Sequence, residues 1–169
     1  MSGRLARFMK LSSSDRRLLA EAFFGHAKSR FLILTVPFIK IAEGLGTMNH
    51  ETASVTREEN RQTIYRISWA VRAAAGKTPW ASKCLVQVMT AKRMMRKRGI
   101  ESTVYLGIKR KNGRDMAAHA WIRSGDVYLT QVKGKRAFTV VSVYGDETVP
   151  QAKNNRSDRP IKRTERNDA

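Results

Sequence analysis

The chain has 169 residues, about one domain, with 33 Lys and Arg against 14 Asp and Glu, a formal net charge of +19 and a pI near 11. An apolar share of 41% can build a core without a metal or disulfide staple, and a single cysteine excludes an internal disulfide. The most apolar stretch, Phe31 to Ile39, contains Thr35 and Pro37 and falls well short of the roughly 20 residues of a membrane-spanning helix. With no secretory signal pattern at its N-terminus the chain reads as cytoplasmic, and its charge favours nucleic acid, an anionic surface or an acidic peptide as partner.

Ser12-Ser13-Ser14-Asp15 offers side-chain oxygens to a helix start, and Leu18, Leu19, Ala22, Phe23 and Ala27 follow at helical spacing toward Val36 and Pro37. The second half of this helix is apolar on most sides, so it is either buried or a docking surface. Gly44 to Val55 is short, polar and unpatterned, a connection between parts. Thr56 and Glu59 match a capping box for a second helix, with Ile64, Ile67, Val71 and Ala74 on one face and Gly76 as its stop. Ser82 is positioned to cap a third helix, with Leu85, Val88, Met89 and Met95 inward and Gly99 ending it. Alternating patterns then predict strands over 103–109, 116–122, 127–132 and 137–144, joined by Asn112-Gly113, Ser124-Gly125-Asp126 and Lys133-Gly134-Lys135. Helices followed by an antiparallel meander make an α+β domain. The organisation read is a helical segment over 1–45, a main domain over 46–148 and a basic, disordered tail over 149–169.

Two residues carry candidate chemistry. Cys84 lies two residues past Ser82, where free helix amides and the positive dipole end favour negative charge on sulfur, with Lys83 adding charge; an isolated cysteine in such a place is more often a small packing group. His119 sits among small residues in Ala117-Ala118-His119-Ala120-Trp121, which lets another element approach the ring, although a lone strand histidine is more often a satisfied core residue. His26 and His50 fit structural or solvent-facing roles better. A cysteine–histidine pair needs a third group to orient the imidazole. If Ser124-Gly125-Asp126 forms a three-residue loop, Gln131 falls opposite His119. Asp126 has the more usual chemistry but stands at the turn, about 13 Å along the strand; Thr130 becomes the opposing residue in a two-residue loop. The chain has no His-Glu-x-x-His, phosphate loop or Gly-x-Ser-x-Gly elbow.

Pro79-Trp80-Ala81-Ser82-Lys83-Cys84-Leu85, the run Ala91 to Ile100, and Ala118-His119-Ala120-Trp121-Ile122 together resemble the leader peptidases of lasso-peptide biosynthesis, transglutaminase-like (papain-like) cysteine proteases. Arg16 to Ala22 and Val36-Pro37-Phe38 resemble the helical lead-in of that family. The resemblance implies a stand-alone peptidase that removes the leader from a ribosomal precursor peptide, delivered by a small leader-binding protein, before a separate cyclase closes the ring. Cys84 would attack the scissile carbonyl, His119 take and return the proton, and water resolve the thioester, with the Cys84 amide at the oxyanion and no metal or organic cofactor. The family often carries Asp about twelve residues after the histidine; here Gln131 stands there, and an amide can still orient an imidazole. Trp80 either walls the substrate groove or anchors its loop. Two other readings compete: a nucleic-acid-binding module, on the strength of nine Lys and Arg between Lys92 and Arg114, and a catalytically idle interaction domain of the same fold. The first lacks any recognised motif or aromatic platform.

Overall fold

A computed structural model describes residues 10–111, 115–130 and 137–146. Gln131 and the predicted tail lie outside these residues. Helix α1 spans Ser13–Thr35, and Ser12 caps it by accepting the Asp15 amide at 3.1 Å. Pro37 cannot extend α1 but suits the start of the next helix, and α2, Phe38–Glu43, follows it directly. The longer helices are α3, Glu58–Ala75, and α4, Cys84–Arg96.

The strands are β1 Thr47–Met48, β2 Thr103–Lys111, β3 Asp115–Ser124, β4 Val127–Tyr128 and β5 Thr139–Gly145. All pairs are antiparallel, in the order β1-β5-β2-β3-β4. The sheet is therefore not the expected meander. After β4 the chain returns to the free edge of β2, a choice that alternation cannot encode because either edge of β2 offers the same face. Strand β1, two residues long, carries no readable period.

The helices cover one face of the sheet. Leu18 and Ala22 of α1, Ile64, Ile67 and Val71 of α3, and Val88, Ala91 and Met95 of α4 form one buried cluster with Val104, Ala120, Ile122, Leu129 and Tyr144. Helix α1 thus contributes to the common core along one stripe. Its Phe24, Phe31 and Leu34 face outward, at 70%, 64% and 66% exposure.

Both expected helix caps are used differently. Helix α3 starts after Arg57 without a side-chain cap, and the Thr56 hydroxyl instead donates to Ser124 O at 2.8 Å. Ser82 turns to Thr78, so Lys83 precedes α4 and Cys84 is the first residue of its helix.

His26 is fully buried between α1 and its neighbours, with Nδ1–H donating to Ala22 O at 2.7 Å and Nε2 without a partner among the described residues. Burial, opposed by that hydrogen bond, holds its pKa below the ordinary 6.5. The unfolded chain then binds the proton more readily, so stability is lost as pH falls through 6.5. Urea unfolding of His26→Leu at pH 7 and pH 5 should show a smaller acid-side loss than the native chain.

Candidate active site

Cys84 opens α4 because Lys83, extended at ψ 173°, breaks the helix behind it. No side chain caps this end and no acidic residue occupies its first turn, so the amides and dipole present uncompensated positive potential around the sulfur. The side chain is half-buried and packs against the core cluster. The preceding loop is fixed by Thr78, whose hydroxyl lies within hydrogen-bond reach of Ala75 O, Trp80 O and Ser82 Oγ, and by Gln87 Nε2 donating to Ser82 O at 2.8 Å. Trp80 is half-buried, its ring 5.6 Å from that of Phe23 in α1, which makes it an anchor tying this loop to the first helix.

His119 lies on β3 opposite Gly107 of β2. Its ring stacks on Trp121 at 5.8 Å and leans on Phe138 at 5.2 Å, while Trp121 stacks on Tyr105 at 5.7 Å. Gly107 is what admits this row: a Cβ there would stand 2.9 Å from the Trp121 ring and 3.1 Å from Phe138 Cβ. At the far end Arg123, 7% exposed, donates to Glu51, Thr52 O, Ala53 O and Tyr105, clamping the connection before α3 onto the sheet. Phe138 was not legible as a neighbour of this histidine, nor Tyr105 and Glu51 as the continuation of its row. An arginine in the buried second half of β3 was the one signal available.

Helix α4 packs against β3, so the two candidate residues stand on elements in contact. Side chains along β3 alternate between faces. Ala120 and Ile122 join the cluster against which Cys84 packs, whereas His119 and Trp121 belong to the opposite face.

The hairpin after β3 pairs Ser124 with Val127 and Arg123 with Tyr128, leaving Gly125 and Asp126 as a two-residue turn. Gly125 has φ +55°, and a Cβ there would collide with the Thr56 amide, so only glycine fits. The three-residue loop that set Gln131 opposite His119 is thus not formed; the loop has two residues, but with Ser124 paired to Val127 the count along β3 does not bring Thr130 opposite His119, as the two-residue alternative expected. Gln131 itself lies outside the described residues. Asp126 accepts the Thr56 amide at 3.1 Å and two Arg61 nitrogens at 3.1 and 3.3 Å. Hydrogen bonding by Thr56 and then Arg61 holds its carboxyl well below the usual carboxylate range. This carboxylate is committed to fastening the turn to α3, about 16 Å along β3 from His119 at strand rise. Asp126→Ala should accordingly lower thermal stability, which thermal melts of the native and variant chains check.

A family model described as the transglutaminase-like superfamily matches residues 32–143, about two thirds of the chain. No curated protein and no solved structure matches. Among the described residues no helix is long and apolar enough to cross a membrane.

Proposed function

The chain belongs to the transglutaminase-like superfamily, and from that premise we propose that it is a cysteine peptidase that removes the leader from a lasso-peptide precursor before a partner cyclase closes the ring. The superfamily is in general one of cysteine-protease chemistry. The observation that carries the reading is the placement of the only cysteine at the uncapped start of a helix packed on the strand that bears His119. There the Cys84 sulfur attacks the scissile carbonyl, backbone amides of the first turn receive the oxyanion, and His119 takes the thiol proton and returns it to the leaving amine. The core peptide departs with a free amino group, and water releases the leader from the thioester. For proton transfer the imidazole has to come within about 3 Å of the sulfur. Because His119 belongs to the face of β3 opposite the cluster that holds Cys84, the proposal requires β3 to turn that residue toward α4 when substrate binds. Gln131 is the proposed orienting group, and the compartment is the cytoplasm, where precursor peptides are made.

The test is reconstitution with a candidate precursor peptide and leader-binding protein, sought among the reading frames that neighbour this one. Mass spectrometry should show leader loss, abolished by prior alkylation of Cys84. The facing of His119 toward Trp121 and Phe138 favours one competing reading, a catalytically idle interaction domain. That reading predicts that alkylated protein still supports leader removal by another component of the pathway.

A further inference from the structure

A groove of about 510 Å³ runs between α1, α2 and the outer side of α4. It is lined by apolar side chains, among them Leu32, Ile41 and Met89, and its exposed rim carries lysines and arginines. Lys40, Arg96 and Lys97 on that rim are already neutralised by Glu43, Asp146 and Glu21. Lys28 and Arg93 are exposed and form no ion pair among the described residues. Long cationic side chains flanking an apolar trough complement one kind of segment: an amphipathic one with an aliphatic stripe and carboxylates on either side. The terminal stretches of this chain are poor occupants. The residues before 10 and after 146 hold more Lys and Arg than Asp and Glu, and a second copy of a protein at +19 is repelled rather than attracted.

We propose that this groove docks an acidic amphipathic helix of another protein. The inference is independent of the cysteine chemistry, which lies at the opposite end of α4. Fluorescence anisotropy with a labelled synthetic helix of Leu and Glu, and with a Leu and Lys version as control, tests it on the full chain. The Glu peptide should bind, and the double variant Lys28→Glu/Arg93→Glu should weaken it at least about tenfold. Lys77→Glu/Arg110→Glu, an equal charge change away from the groove, should weaken it less than about threefold. Leu32→Ser, with its circular dichroism compared with the native chain's, probes the floor and should also weaken binding. Equal losses from the two charge-reversed pairs would reduce the effect to net charge and overturn the proposal. So would retention of binding in Leu32→Ser, or binding to phosphatidylglycerol vesicles or a single-stranded oligonucleotide but not to the Glu peptide.

Discussion

Cys84→Ala should reduce leader removal by about 10⁴-fold or more, and His119→Ala by a comparable factor, because a nucleophile and its base act as one unit whose members cannot be lost separately. Neither substitution threatens the fold through a large cavity. Cys84 is a small half-buried side chain at a helix end, and His119 sits at the margin of the Trp121 row rather than in the main cluster. The histidine variant is the more discriminating of the two. If the ring serves only to pack against Trp121 and Phe138, its loss should loosen that face and cost stability with little change in rate per folded molecule. If it is the base, the rate collapses while the unfolding midpoint moves little. Measuring both quantities on the same preparation separates these roles.

The second large effect concerns stability. Asp146 receives the Lys92 ammonium at 2.9 Å, Arg96 at 2.7 Å and the Ser102 amide at 2.9 Å, and so joins the end of β5 to α4 and to the start of β2. Lys92 is 2% exposed, and burial, partly offset by Asp146, pushes its pKa down to about 8. Removing the carboxylate strands a buried cation and an amide together. Asp146→Ala should therefore cost about 3 kcal/mol, at the low end for a broken buried pair because Lys92 can shed its proton. That corresponds to a fall of about 10 °C in Tm for a domain of this size. The pH dependence follows from the same groups. Unfolded lysine titrates near 10.5 and the folded one near 8, so the unfolded chain holds the extra proton between those values and the Lys92 contribution makes stability rise with pH across that window. The Asp146 carboxyl is depressed below its ordinary 3.8 by Lys92 and Arg96 against the pull of burial. Its stabilisation is present above that value and is lost as pH falls through the folded pKa. Thermal melts of the native and Asp146→Ala chains across pH should differ most above pH 4 and converge in acid.

Helix faces were legible because burial follows period: Ile64, Ile67, Val71 and Ala74 all face the core as their spacing requires. The strands β2, β3 and β5 were legible from the alternation of their sequence, although burial along β3 and β5 rises toward one end rather than alternating. Their order was not, since the return of β5 to β2 depends on which edge remains free, and a two-residue β1 has no pattern to read. Caps failed where other partners, one distant and one in the same loop, outbid the helix amides. Thr56 bonds the β3–β4 turn rather than its own helix, and Ser82 bonds Thr78. The turn itself was misjudged by one residue because Ser124 is a good turn former by composition, yet it continues β3 and donates to Glu101 O at 2.7 Å. For the candidate site, the helix-start cysteine and the small-residue strand around His119 were readable. The aromatic row was not, because it is assembled from β2, β3 and the approach to β5, and depends on a glycine at 107 that looks unremarkable in one dimension.

The central claim is that the Cys84 sulfur forms the bond to the leader. A leader peptide ending in a chloromethyl ketone at the mapped cleavage site tests it by intact-mass spectrometry and peptide mapping. The native chain should gain one leader mass, mapped to Cys84, far faster than it reacts with iodoacetamide of equal concentration, and His119→Ala should slow that gain. Leader cleavage that continues at the native rate once Cys84 is fully labelled would contradict the account.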